Sequence, residues 1–432
     1  MAGLLPRFFI AMRHFAVTSA ATHYDSILRM NAQPLSLFFL AIIYIGSTLP
    51  ARADEADVIN FSVTGNVMND NNLFRLRPGL SAESVGLKTK SDTITSTGVG
   101  INFNKLFSLQ RIVADVSFQE ASYKTYDYLN YRALNYDTKW QWAIGKRLSG
   151  EVLFQRSQSL ASFTDYNNYT KRNLRTVEDN RLNLDYWLHA NWHLVGGSYT
   201  TKLTNESAYL EDSDYDGTGY NAGLSYQPAS GNKLTWRVKR MEGKYKKRQF
   251  NTLFQYDNGF TQTGQQFELN WQLTGKSALR GNLEYINREH DHFSSRDYSG
   301  WTGNLNYVYS YSGKTTLTAG YRRGLDSYQQ VVSSYYRSNE FNLLGQWAAT
   351  SKILASARAA YIMRQYEGPI ISLPSGFPER EDKVARFGMD VSYRPDRWLE
   401  LKAGATVEKR FSNFSNYEYD DRVAYISASG QF

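Results

Sequence analysis

Charged side chains recur at alternate positions along several stretches of the chain, and they are the residues best suited to chemistry. Lys233, Arg237 and Lys239 share one face of an extended segment, and Arg386 and Arg394 share one face of another. Such rows offer many weak contacts to hydrated anions, and several weak contacts let a solute pass where one tight site would hold it. The alternative is structural, because cations and carboxylates on one face also pair across strands and stiffen a wall.

The same spacing assigns further charged residues to this polar face, with a surplus of cations. A mixed wall of this kind suits hydrated anionic solutes, including acidic polysaccharide. The complete set of candidate wall residues is Lys139, Lys233, Arg237, Lys239, Glu268, Arg280, Glu284, Arg322, Arg358, Arg364, Arg386, Arg394 and Lys402.

Histidines provide the only other candidates for chemistry. His290 and His292 flank Asp291 in a polar segment, which is more typical of a solvated loop than of a metal site. His189 and His193 flank a tight turn without a recognisable serine motif nearby, and neither G-x-S-x-G, H-E-x-x-H nor a phosphate-binding loop occurs. We therefore expect no catalytic residue, no metal and no cofactor, although a dispersed Ser/His pair stays open as an alternative.

The elements that must position these residues are long amphipathic hairpins. Between Gln265 and Arg288, apolar residues alternate with polar ones on both sides of the four-residue turn Thr274–Ser277. Successive side chains of a strand point to opposite faces, so one face is apolar and the other polar. A chain built almost entirely from such units is typical of a transmembrane barrel.

The hairpins can be counted. One opening strand, eight hairpins and one closing strand predict an all-β, antiparallel up-and-down transmembrane barrel of about 18 strands, with short periplasmic turns and longer extracellular loops. Arg or Lys facing lipid at the midplane costs about 2–4 kcal/mol, so we expect charges to face inward. The short turns are predicted at Lys105–Leu109, Gly145–Ser149, Asn191–His193, Pro228–Asn232, Thr274–Ser277, Ser312–Lys314, Thr350–Lys352 and Pro395–Arg397. The longer polar segments between them, among them Ser327–Ser334, are predicted as loops.

Composition agrees with a barrel. The chain has 32 Tyr, 23 Phe and 9 Trp, enough for aromatic girdles at two membrane interfaces, and its mean hydropathy of −0.52 is low because apolar residues alternate with polar ones. Trp301, Leu305 and Tyr307 are predicted to face lipid. The net charge of +8 is mild and provides no signature of nucleic-acid binding.

The N-terminal part of the chain has the pattern of a targeting segment. An apolar run, Leu37–Leu49, is followed by Ala51-Arg52-Ala53 and then by an acidic start at Asp54. This predicts a signal peptide cleaved between Ala53 and Asp54, whose true start is Met1 or Met30. We therefore divide the chain into an extension with signal peptide, 1–53, and a barrel, 54–432.

The C-terminal residue, Phe432, ends an alternating strand. A terminal aromatic in this position is similar to the recognition signal of the outer-membrane barrel-assembly machinery. We expect Phe432 to serve as the assembly signal and outer-membrane lipid to surround the barrel.

The stretch Asp70-Asn71-Asn72-Leu73-Phe74-Arg75-Leu76 after the first strand, with the layout as a whole, resembles the EpsL-type outer-membrane barrels. These are β-barrel porins of exopolysaccharide loci associated with the exosortase/PEP-CTERM system. The resemblance implies a role in exopolysaccharide biosynthesis or export, together with other export components, and no catalytic residue. Phe74 and Leu76 are expected to pack where the first loop folds back at the barrel mouth.

The leading hypothesis is a passive conduit or accessory component for polysaccharide in the bacterial outer membrane. A general diffusion porin for small solutes is the main alternative. An envelope enzyme and a purely structural anchor for extracellular matrix are the others.

Overall fold

A computed structural model describes residues 57–164, 169–253, 255–330, 333–367 and 378–432. The signal peptide and the cleavage position between Ala53 and Asp54 lie outside these residues. Within them the chain forms 18 strands, joined by connections that include a few 3₁₀ turns. No helix in the described part of the chain is long and apolar enough to cross a bilayer.

The strands follow one another around the barrel in chain order. They are β1 Ile59–Asp70, β2 Asp92–Phe107, β3 Gln110–Tyr123, β4 Tyr131–Ile144, β5 Leu148–Leu160, β6 Leu174–His189, β7 Trp192–Asn205, β8 Tyr215–Tyr226, β9 Lys233–Lys244, β10 Gly259–Thr274, β11 Ser277–His290, β12 Tyr298–Ser310, β13 Thr315–Gln330, β14 Ser333–Ala348, β15 Ile353–Glu367, β16 Glu381–Asp396, β17 Leu399–Ser412 and β18 Tyr419–Gln431.

Every strand pairs antiparallel with its sequence neighbours, and β18 pairs with β1 to close the sheet. At the seam Phe61 and Phe432 exchange two main-chain hydrogen bonds of 2.7 Å. The predicted closed, antiparallel 18-stranded barrel is therefore confirmed. Closure matters because it leaves no unpaired edge, which a bilayer does not tolerate.

The outward face of the barrel is apolar. Trp301, Leu305 and Tyr307 of β12 are each at least 40% exposed, and Phe267 and Leu283 beside them are similarly exposed. Tyr285 and Trp301 pack edge to face with ring centroids 5.2 Å apart. A ring of large apolar side chains without protein cover is the surface that lipid solvates.

The eight short turns lie where the sequence predicts them, whereas the connections at the other rim differ from expectation. The segment Ser327–Ser334 is predicted as a loop, but β13 continues to Gln330 and β14 begins at Ser333. Polar residues do not stop main-chain pairing once strands pass beyond the bilayer, so strand length there cannot be read from alternation with an apolar face.

Candidate functional site

A contact across the barrel identifies the inner face of the wall. Arg410 of β17 donates a 2.5 Å hydrogen bond to the main-chain oxygen of Thr164, which follows β5. These strands are far apart around the closed sheet, so the contact spans the mouth of the barrel. Side chains on the face of β17 that carries Arg410 therefore point into the barrel, and alternation extends this assignment around the sheet.

The structure brings most of the candidate wall residues together as ion pairs between neighbouring strands or, in one case, across an intervening strand. Arg237 lies 2.6 Å from Glu268, and Lys239 lies 3.0 Å from Glu284. The remaining pairs are Lys139 with Glu151 at 3.8 Å, Arg322 with Glu340 at 3.9 Å, Lys402 with Asp390 at 3.3 Å, Arg394 with Glu400 at 2.6 Å, and the short contacts of Arg358 with Asp390 and of Arg386 with Glu408.

Three candidates are arranged differently. Lys233 and Arg280 make no ion pair among the residues that the structure describes, and the guanidinium of Arg364 lies 5.2 Å from the ring centroid of Tyr336. Lys233 of β9 and Arg280 of β11 both pair in register with Asn270 of β10, so the two cations lie level with each other on the strands that flank β10. This leaves a local surplus of positive charge on the wall.

We call this region the wall patch. It comprises five cations and three carboxylates on β9, β10, β11, β13 and β14, and its net formal charge is +2: Lys233, Arg237, Lys239, Arg280 and Arg322 against Glu268, Glu284 and Glu340. The patch combines the two hypotheses drawn from the sequence, because most of its charges are paired while a cationic surplus persists. What these side chains do for a solute stays a prediction.

The long loop after β1 narrows one side of the mouth. Phe74 and Leu76 are each 5% exposed and pack with Leu129 and Phe163 in one apolar cluster. The same cluster includes Ile94 and other inward-pointing side chains of the wall. The first loop is thus folded into the barrel, which is the position expected for Phe74 and Leu76 from the sequence.

Arg75 ties this loop to the seam of the barrel. Its guanidinium lies 2.9 Å from Asp70 of β1 and 2.7 Å from Asp421 of β18. The side chain of Asp421 is fully buried, and Arg75 itself adopts a positive φ of 56°. A buried carboxylate needs a cation beside it, so Arg75 stabilises both the loop and the seam.

A second buried charge group lies on β16 and β17. The carboxylate of Asp382 contacts Arg410 and lies 2.7 Å from Arg380, and the side chains of Asp382 and Arg410 are fully buried. Arg410 also donates a 3.1 Å hydrogen bond from a terminal nitrogen to the hydroxyl oxygen of Tyr366. This group fixes the wall beneath the mouth rather than offering a charge to solutes.

An aromatic cluster lines the mouth at β7 to β10. Tyr245, Phe260 and Met241 are buried there. The guanidinium of Arg288 lies 4.0 Å from the ring centroid of Phe260, and that of Arg248 lies 3.6 Å from the ring centroid of Tyr245. Stacking of this kind stabilises cations that have lost water.

The segment with His290, Asp291 and His292 is held by hydrogen bonds to Asp257 in the preceding loop. Asp257 accepts hydrogen bonds from the main-chain nitrogens of His292, at 2.6 Å, and Phe293, at 3.1 Å. Burial alone raises the pKa of Asp257, but the hydrogen bonds from His292, Phe293 and Gly259 outweigh it and hold the pKa below its ordinary value. No group of three metal-ligating side chains occurs among the described residues.

The second histidine candidate also lacks catalytic geometry. His193 pairs through Nδ1 with Asp185 at 2.5 Å, and Ser225 lies opposite His193 in the register of β7 and β8. However, Ser225 is fully buried, and its hydroxyl is bonded to Thr235 at 2.9 Å. The described structure therefore shows no hydrogen bond from this serine to the histidine that would activate it.

Sequence reasoning missed the buried groups at the mouth. Arg75 belongs to the stretch that carried the family resemblance, but its partner Asp421 is distant in sequence. Arg410 and Asp382 meet within the β16–β17 pairing, but alternation places both only on the inner face and does not show that they are buried together. A charged residue between residues that are themselves buried would reveal such a group. Alternation does not identify it, because alternation predicts the face on which a residue lies and not whether the residue is buried.

Comparison with known proteins agrees with this geometry. Residues 239–432 match a protein family described as "Putative beta-barrel porin 2". The fold is similar to that of OccK2 (OpdF) of Pseudomonas aeruginosa, with a TM-score of 0.51, 11% sequence identity, and coverage of 87% of this chain and 98% of that chain. The same protein in complex with glucuronate gives a TM-score of 0.50, 12% identity, and coverage of 87% and 98%.

A BenF-like porin from Pseudomonas fluorescens gives a TM-score of 0.49 at 12% identity, covering 88% of this chain and 99% of that chain. No curated protein matches the chain. The barrel fold and the match of residues 239–432 to a porin family agree with a location in the bacterial outer membrane. The fold itself is all that similarity at such low identity establishes.

Proposed function

We propose that the barrel is a diffusion channel for small hydrated solutes, with a mild preference for anions. The observation that carries this proposal is the combination of a charged inner wall with a mouth narrowed by inward-folded loops. A barrel of 16 to 18 strands is wide enough to hold an aqueous path, and the loops reduce that path at one end. A narrowed path favours small solutes over a bulky polymer.

The wall patch supports the anion preference. Its surplus of two positive charges is small, because Glu268, Glu284 and Glu340 offset most of the cations. Weak attraction at several positions permits passage without trapping. OccK2 was solved with glucuronate, and a small sugar acid of that type is a suitable first solute for this channel as well.

Liposome swelling tests the proposal directly. Purified barrel in liposomes should admit neutral sugars of one ring faster than those of two or three rings, and glucuronate faster than glucose. The control is the same liposome without protein. Swelling that is absent for every sugar would contradict a diffusion channel and would favour a structural anchor.

Passage of exopolysaccharide is the second candidate, as the EpsL-type resemblance implies. A row of amides on the inner face favours it: Asn304 donates to Asn282 at 2.5 Å, and Asn306 lies 3.5 Å from Asn304. Amides in a row can exchange hydrogen bonds with successive sugar hydroxyls. This candidate predicts polysaccharide synthesis and export genes beside the gene for this chain, and loss of secreted polymer on its deletion without loss of small-sugar uptake.

A further inference from the structure

An apolar groove runs across part of the lipid-facing surface of the barrel. It crosses β9 to β13, has a volume of about 340 Å³, and is lined by the apolar side chains of Leu234, Phe267, Leu269, Leu283 and Leu305. Crossing four strand spacings of about 4.8 Å makes it roughly 19 Å long. These dimensions suit an extended acyl chain.

Two glycines form the floor of the groove. Gly281 and Gly303 sit on the lipid-facing side of β11 and β12, where neighbouring positions carry Leu283 and Leu305. A Cβ at Gly281 would lie 2.1 Å from the main-chain oxygen of Asn304, and Gly303 has a φ of 148°. The local backbone therefore requires glycine at both positions, and the groove is a built feature of the wall.

A cation stands at the upper end of the groove. Arg323 shares the lipid-facing side of β13 with Tyr321, and it is the residue of the groove farthest along its strand from a short turn. Its Nε donates to the main-chain oxygen of Trp301 at 3.0 Å. No carboxylate lies within ion-pair distance of this guanidinium among the residues that the structure describes.

The position of Arg323 corrects the expectation that charges face only inward. Trp301 and Tyr285 form part of the aromatic girdle beside it, and such girdles lie at headgroup level. The cost of a lipid-facing Arg falls from about 2–4 kcal/mol at the midplane to about 0–1 kcal/mol near the interface. At that depth the two terminal nitrogens of Arg323 are placed to meet a lipid phosphate.

We propose that this groove binds one lipid A molecule of the outer leaflet, with an acyl chain along Leu283 and Leu305 and a phosphate on Arg323. The long-loop rim to which Arg323 is nearest is the extracellular rim, and the outer leaflet there consists of phosphorylated, acylated glycolipid. Charge and shape thus select the same occupant. The site is independent of what passes through the barrel.

Native mass spectrometry of the full barrel, delipidated in detergent and reloaded with bisphosphorylated lipid A, tests the proposal. We expect one retained lipid A, about fivefold weaker retention in Arg323→Gln, and near wild-type retention in Arg323→Lys, because one basic residue at headgroup level contributes on this scale. Leu283→Trp fills the groove and should abolish retention while the barrel still migrates as folded on an unheated gel. Lys202→Gln, an exposed outward-facing cation on β7 away from the groove, is the matched control and should change nothing.

Three results would overturn the proposal. Retention of lipid A that is the same in Arg323→Gln, Leu283→Trp and wild type would show that the groove does not bind it. Equal retention of phosphatidylglycerol with the same dependence on the variants would show that the glycolipid is not selected. A barrel dimer that dissociates in Leu283→Trp would assign the groove to a second copy of this chain.

Discussion

Reversing the charge of the wall patch should reverse the ion preference of the channel. The variant Arg237→Glu/Lys239→Glu/Arg280→Glu/Arg322→Glu removes four positive charges and adds four negative ones, so the formal charge of the patch changes from +2 to −6. All four side chains lie on the inner face of β9, β11 or β13 by the alternation that Arg410 fixes.

The magnitude follows from screened Coulomb interactions. A unit charge about 10 Å from a solute ion in water contributes about 0.4 kcal/mol, and one Debye length at 0.1 M salt reduces this to roughly 0.15 kcal/mol. The wild-type surplus then gives about 0.3 kcal/mol, and an anion-to-cation ratio of roughly 3. The variant gives about 0.9 kcal/mol of the opposite sign, and a ratio of roughly 20 in favour of cations.

The assay is the reversal potential of the purified barrel in a planar bilayer under a KCl gradient near 0.1 M. We expect its sign to change in the quadruple variant and the effect to fade at 1 M salt, where the Debye length is about 3 Å. The control, Lys202→Glu/Lys383→Glu, alters two exposed cations on the outer face and should leave the reversal potential unchanged. An unchanged potential in the quadruple variant would refute the placement of these residues along the conducting path.

Three further predictions concern the mouth and the seam. Arg75→Met leaves Asp70 and Asp421 buried without their cation, which should lower the stability of the folded barrel by about 3–5 kcal/mol. The first loop should then leave the mouth and single-channel conductance should rise, whereas Arg77→Met in the same loop should change neither. The pKa of Asp257 is lowered in the folded loop, so the stability that its ionised carboxylate gives the loop is complete above about pH 4 and is lost as the pH falls further. Pepsin should therefore cut the loop around Asp257 increasingly below that pH, and Asp257→Asn should expose the same loop to protease at pH 7. Equal cleavage of the variant and the wild type at pH 7 would contradict a stabilising role of Asp257. Deleting Phe432 removes its two 2.7 Å hydrogen bonds with Phe61 and its ring contact with Trp398, so a smaller folded fraction is expected on an unheated gel, with Phe432→Tyr as the control; normal assembly would contradict a role as assembly signal.

The alternation of apolar and polar residues predicts much of the fold. Trp301 and Leu305 on one face of β12 and Asn304 and Asn306 on the other specify both the strand and its orientation. Eight such hairpins, with one opening and one closing strand, specify the strand number of 18. The positions of short turns follow because a tight reversal needs few residues of restricted type. These features are local, so a pattern of period two contains them.

Interactions between distant parts of the chain could not be predicted in this way. The pairing of Lys239 with Glu284 joins β9 to β11 across an intervening strand, and it depends on side-chain direction rather than on alternation. The folding of the first loop into the barrel depends on Phe74 meeting Phe163, which a local pattern does not relate. Arg323 shows the limit of assigning charges to the inner face by alternation. The energetic cost of a lipid-facing Arg depends on its depth in the bilayer, which alternation does not specify.

The order of the strands has a consequence for how barrels of different width arise. Every strand pairs with its neighbours in sequence; β13, for example, ends at Gln330 and pairs with β14, which begins at Ser333. Duplication or excision of such a hairpin would change the circumference by two strands, keep the number even and preserve antiparallel pairing on both sides of the junction. The buried ion pairs of Arg75 and Arg410 at the mouth involve other strands. Gain or loss of the β13–β14 hairpin would therefore leave those ion pairs in place.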